Sequence, residues 1–209
     1  MEDVLDLYVE PYDSQRPTVC FDEVSRQLLA DTRPPLPVRP GAIARVDYEY
    51  ERQGTCNIFV FFEPKQAWRH LAVTDRRTQI DFAHQMKWLV DERYPEAAII
   101  RVVLDNLNTH RLASLYEAFA PAEARRIAKR LEFHYTPKHG SWLNMVEIEI
   151  GIFDRLCWDR RLADKTQLAH ETEALEAERN SAHATVHWRF TTPDARTHLK
   201  RLYPSIPVC

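Results

Sequence analysis

The 209-residue sequence predicts an α/β protein built on a mixed five-stranded sheet flanked by helices, with further helices at its C-terminal end. Three observations predict it. Residues 18–74 hold several short apolar or alternating runs bounded by Pro and Gly, the mark of sequential antiparallel strands. Near residue 80 the apolar period changes from two to that of a helix. Beyond it, the β-branched run Ala98–Leu104 is apolar on nearly all positions, as a strand covered on both faces must be.

The elements follow in chain order. Residues 1–16, with Val4, Leu5, Leu7 and Tyr8 set among acids, read as the end of a helix and a linker from a region that precedes the chain. After Pro17, Thr18–Glu23 reads as a short buried strand ending at two acids, and the proline density of residues 32–41 keeps them out of helix and central strand. Residues 44–51 and 55–63 then form a hairpin turned at Gln53-Gly54, with a third strand over residues 68–74 after Pro64. Ile80, Phe82, Ala83, Met86, Leu89 and Val90 make a helix that closes at Tyr94-Pro95. Helices over 112–119 and 121–131, a strand over 132–136, a long helix from Leu143 to about Leu162, and helices over 165–180 and 190–203 complete the chain.

Composition narrows the class of function. Apolar residues make up 44% and charged residues 28%, ordinary for a folded globular protein and far from a disordered one. No apolar run approaches the roughly 20 residues of a membrane span, and the acidic start is unlike a secretory signal, so no membrane partner and a cytoplasmic location are expected. Cys20, Cys56, Cys157 and Cys209 form no CxxC pair, and Cys20 and Cys157 sit in apolar segments as core residues. With four glycines, no Gly-rich phosphate loop and no GxSxG, nucleotide hydrolases and serine esterases are poor alternatives, and the histidines show no HExxH-like spacing. The net charge of -3 gives no overall basic footprint for nucleic acid, but residues 106–209 carry 15 Lys+Arg against 13 Asp+Glu.

Three acids sit where strands or helices leave the core: Asp22 at the end of the first strand, Asp105 directly after the buried strand, and Glu147 in the first turn of the long helix. Ligand sites in open α/β folds lie outside such termini. Carboxylates gathered without positive charge raise one another's pKa, and Mg²⁺ or Mn²⁺ is the natural filler; two such ions can activate a water and steady a leaving phosphodiester oxygen. Each acid has a plainer alternative. Asp22-Glu23 can be a solvated turn, Asp105–Thr109 a polar loop capping the next helix, and Asn144-x-x-Glu147 a capping box.

Taken together, Val19-Cys-Phe-Asp22-Glu23, Val102-Val-Leu-Asp105-Asn106 with His110 after it, and Thr136-Pro137 followed by Trp142-Leu143-Asn144-x-x-Glu147 resemble the DDE transposases of the mariner superfamily, above all the bacterial insertion-sequence branch. The resemblance runs from about Asp3 to Pro204. It implies an RNase H-like catalytic domain over residues 17–162, with 163–209 as a helical extension packed on it. It implies that Asp22, Asp105 and Glu147 hold Mg²⁺ or Mn²⁺, as two ions, with Glu23, Asn106, His110 and Asn144 behind them. The reaction it implies is hydrolysis of a phosphodiester at a transposon end, then attack of the freed 3′-hydroxyl on target DNA.

Other implied features are double-stranded DNA as partner, a homodimer, and association with the nucleoid when acting on DNA. Lys138, His139, Ser141 and Trp142 are candidate DNA contacts beside the third acid, with the Arg125, Arg126, Lys129 and Arg130 cluster a weaker one. The sequence departs from the family in three ways. Met145 stands where proline is usual, the Asp105–Glu147 interval is longer by about two helical turns, and the helix-turn-helix region that reads transposon ends is missing or separate. Two further readings share the same acids: an inactive remnant serving as a DNA-binding or assembly module, and a structure-directed nuclease of the same fold.

Overall fold

The computed structural model describes residues 1–203, so Cys209 lies outside the described residues. Five strands form one sheet: β1 (Thr18–Asp31), β2 (Tyr50–Glu63), β3 (Trp68–Thr74), β4 (Ile100–Leu104) and β5 (Leu131–Tyr135). Their order is β3-β2-β1-β4-β5, with β1, β2 and β3 antiparallel and β4 and β5 parallel to β1. This is the mixed sheet expected above, and it accords with the RNase H-like arrangement.

Period-two alternation splits the strand side chains between two faces. Cys20, Val60, Phe62 and Val103 pack on one face with Val4, Leu7 and Tyr8 of α1 (Glu2–Val9) and Val146 and Phe153 of α5 (Val146–Phe153). Leu168 of α6 (Lys165–Ser181) joins them. Val19, Phe21, Phe59, Phe61 and Val102 pack on the other with α2 (Gln79–Trp88), α3 (Ala113–Ala118) and α4 (Pro121–Ala128). Each large apolar side chain taken out of water there contributes about 1.5–3 kcal/mol. The last helix, α7 (Thr192–His198), starts in a capping box formed by Thr191 and Asp194, and its Ala195 packs against Leu5 and Leu143. No helix among the described residues is long and apolar enough to cross a membrane.

Residues 2–9 form the helix expected there, and α1 buries Val4, Leu5, Leu7 and Tyr8 because these positions share one helix face. Three expectations are corrected. The first strand does not stop at Glu23 but runs to Asp31, since an antiparallel ladder continues through residues with one wet face, such as Ser25 and Arg26. Gln53-Gly54 is not a turn. It lies inside β2, where Gln27 pairs with Thr55 but Leu29 with Arg52, so it is a β-bulge whose Gly54 takes φ +105°. The hairpin is instead β1–β2, joined by the proline-dense residues 32–49, which carry Val38, Ile43 and Tyr48 at 74%, 80% and 84% exposure.

The long helix expected over 143–162 is also shorter. A tight turn at Ser141–Leu143 precedes α5, and a widened turn at Asp154–Trp158 ends it, directing Cys157 and Trp158 into the core. The cysteines Cys20, Cys56 and Cys157 are free and buried.

Candidate active site

Asp22 lies where β1 and β4 part. The last parallel pair is Cys20 with Val103, and continuing that register by two residues sets Asp22 beside Asp105 on strands roughly 4.8 Å apart. Asp22 also pairs with Val60, which places it on the face covered by α5. Glu147 stands in the first turn of α5 on that same face. Burial pushes the Asp22 carboxyl up to about 7, and the negative charges of Asp105, Glu147 and Glu23 add to it against a single hydrogen bond of 2.8 Å from the Glu23 amide. Three acids far apart in sequence therefore act on one another across one end of the sheet.

Glu23, one residue on, points to the opposite face and is buried there. Its Oε2 is 2.7 Å from Nε2 of His110, off hydrogen-bond alignment, and its Oε1 is 3.4 Å from the half-exposed Arg77 guanidinium. The His110 ring is wholly buried against Phe21 and Phe82, with Nδ1 2.5 Å from Asp105 Oδ1. Burial alone would lower its pKa, but the contacts with Asp105 and Glu23 outweigh it and push it up to about 9. The imidazolium is thus a buried bridge between the loop after β4 and the back of β1. Tyr135 adds a hydrogen bond of 2.8 Å to the His110 carbonyl.

The start of α5 is fixed by side chains rather than by a cap. Asn144 donates through Nδ2 to the Phe21 carbonyl at 2.8 Å, and no side chain caps the helix, which sets aside the capping-box alternative for Glu147. Met145 occupies the N-cap position, and its amide donates to the Tyr8 hydroxyl at 3.4 Å while that hydroxyl donates to the Leu143 carbonyl at 2.7 Å. On the inner side of α5, fully buried Glu149 meets Arg179 at 2.8 Å and Arg69 at 3.1 Å. Tyr8, Arg77, Glu149 and Arg179 were not singled out from sequence, because each acts across thirty residues or more and carries no local motif.

Of the candidate DNA contacts, Lys138, His139 and Ser141 line a groove of about 460 Å³ with Asp105, Asn106 and Thr136. The turn that presents them is tight: the Gly140 amide bonds the Pro137 carbonyl at 2.8 Å, and a Cβ at Gly140 would lie 2.6 Å from Pro137 Cγ. Trp142 is 44% exposed and leans edge-on against Phe190. Asn106 is exposed at the groove wall. The basic cluster on α4 is elsewhere. Arg126 pairs with Asp91 and Glu123, and Arg130 donates to the Tyr94 and Pro95 carbonyls, so two of its four cations are already engaged.

A divalent cation fits the chemistry of this donor set. Burial, with the negative charges of Asp105, Glu147 and Glu23 added to it, raises Asp22, and Asn144 Oδ1 is a buried acceptor without a hydrogen-bond partner among the described residues. Among the described residues, however, no three His, Cys, Asp or Glu side chains are closed into a ready-made metal cage. Asp105 is turned toward His110 by the 2.5 Å contact.

A comparison with curated proteins found no match. Among solved structures, the chain is similar to that of the Mos1 mariner paired-end complex with Mn, at 13% identity and a TM-score of 0.34 over 88% of this chain and 60% of that one. It is also similar to the Mos1 transposase paired-end complex with left transposon end, at 12% identity and a TM-score of 0.32 over 80% of this chain and 55% of that one. The chain thus spans less than two thirds of either Mos1 chain. Residues 17–169, which hold all five strands, the three acids and the start of α6, match the family model of the DDE superfamily endonucleases, and the chain belongs to that family.

Proposed function

We propose that the chain is the catalytic domain of a DDE transposase that cuts double-stranded DNA at a transposon end and joins the freed 3′-hydroxyl to target DNA. One observation supports this reading: the strand register sets Asp22 beside Asp105 at one end of the sheet, with Glu147 in the first turn of the helix that covers the same face. These are the residues that would hold Mg²⁺ or Mn²⁺, as two ions. When bound, the metal supplies the positive charge that lets water attack a phosphodiester and steadies the departing oxygen.

The rest of the chemistry belongs to the chain. His110, held by Glu23, fixes one oxygen of Asp105 and leaves the other free. Asn144 ties the start of α5 to β1 and so sets where Glu147 stands. Lys138, His139 and Ser141 would meet the phosphate backbone and Trp142 an unpaired base, with Asn106 beside them. Residues 17–162 would form the catalytic unit, with the C-terminal helices bracing it. A homodimer would be built through the exposed apolar residues of the 32–49 arm, an apolar surface of the kind that marks a protein contact. Acting on chromosomal DNA, the protein would work in the cytoplasm at the nucleoid, with a helix-turn-helix region supplying choice of sequence.

The test is nicking and strand transfer by this chain, joined to a recognition domain, in Mg²⁺ or Mn²⁺. Asp105→Ala should reduce both by at least about a thousandfold, since a group acting only in the transition state is worth that order. Cleavage of branched DNA or RNA–DNA hybrid without joined products would identify a structure-directed nuclease instead. Absence of both metal affinity and turnover would identify a non-catalytic module.

A further inference from the structure

The loop between β3 and α2 contributes a cation that the acidic site does not account for. Arg77 is half exposed, yet its guanidinium reaches Glu23, a carboxylate with only 2% of its side chain exposed. Glu23 also faces the buried His110 ring at 2.7 Å, so Arg77 is not its sole partner. A guanidinium has five donors, and a single contact at 3.4 Å leaves most of them free toward solvent.

The place of this loop in the sheet gives the free donors a direction. Thr74, the last residue of β3, pairs with Asn57, which pairs with Ser25, so the loop leaves the sheet at the same end as Asp22. The groove with Lys138 and His139 opens after β5, on the opposite flank. The Arg77 backbone thus follows one outer strand and Lys138 the other, with the acids of β1 and β4 between them, and in the free protein the Arg77 side chain reaches across to Glu23 of β1. Four strand spacings of roughly 4.8 Å separate β3 from β5, about 19 Å in all. A duplex carries one charge per roughly 1.7 Å of axis, so one laid across this end would offer phosphates to both flanks.

We propose that Arg77 is a DNA-phosphate contact, stowed on Glu23 in the free protein and turned onto the backbone of bound duplex, opposite Lys138 and His139. This rests on the reading of DNA as substrate. Binding of a short labelled duplex of generic sequence, followed by fluorescence anisotropy against salt concentration without divalent metal, tests it. Arg77→Gln should raise Kd about tenfold and reduce the slope of log K against log salt by about 0.9, the value of one phosphate contact. Arg77→Lys should restore the slope.

Because Arg77→Gln also leaves Glu23 with less neutralisation, the substitution is repeated in a Glu23→Gln background. The same loss of slope is expected there, and its disappearance would assign the effect to Glu23 repulsion and overturn the inference. A wild-type slope in Arg77→Gln would overturn it alone, whereas a wild-type chain with no salt-dependent duplex binding would overturn it together with the assignment of DNA as substrate.

Discussion

Asp22 is costly to the free protein as the carboxylate. Its folded-state pKa of about 7 lies above the ordinary value of 3.8, so folding favours the protonated acid. The sign follows: the stability it supports is fully present below about pH 4 and is lost as pH rises through 7, at about 1.4 kcal/mol per unit of displacement. In chelator, the chain should therefore lose stability across that window, and Asp22→Asn should be more stable than wild type above pH 7 and equal to it below pH 4. Urea denaturation at the two ends of the window checks this, and an equal difference at both would exclude Asp22 as the source. His110 is the counterweight. It stands between Glu23 and Asp105, on the opposite face of β1 from Asp22.

Helix α5 positions Glu147 through partners that lie well away from the acids. Glu149, two residues along, is buried between Arg69 of β3 and Arg179 of α6. The same helix α6 closes the free edge of β3: Glu176 accepts from the Leu71 amide and Asn180 accepts from the Arg69 amide and donates to its carbonyl, each at 2.9 Å. Removing one partner of a buried ion pair costs about 3–5 kcal/mol. Arg179→Met should cost that much in urea denaturation and weaken Mn²⁺ binding by calorimetry, while unaltered Mn²⁺ affinity would show that α6 does not set the place of Glu147. Elements held by their own neighbours were legible in sequence: β3 has the bounds its alternation indicates, and β4 is the buried strand expected before Asp105, apolar at every position but Arg101. The Gln53-Gly54 pair was not, because a glycine with positive φ serves a hairpin turn or a bulge equally well and only the partner strand decides.

At the scale of the whole molecule, the 32–49 arm stands out from the sheet, anchored at its base by Arg161, which donates to the Asp47 and Glu49 carbonyls and pairs with Asp31. If the arm joins two copies, Val38→Asp with Ile43→Asp should convert the dimer to a monomer in sedimentation with the circular dichroism unchanged; a monomeric wild-type chain would remove that role. The sequence by itself determined the strand and helix types and the buried character of Cys20 and Cys157, because each follows from local periodicity and side-chain chemistry. Tertiary structure alone decided that Asp22 and Asp105 are neighbours in register, that His110 bridges Glu23 to Asp105, that Tyr8 and Arg179 hold α5, and that Arg77 reaches the back of the site. The physical reason is range: periodicity and propensity report on neighbours along the chain, whereas charge pairing and strand register join residues whose separation in sequence leaves no local trace.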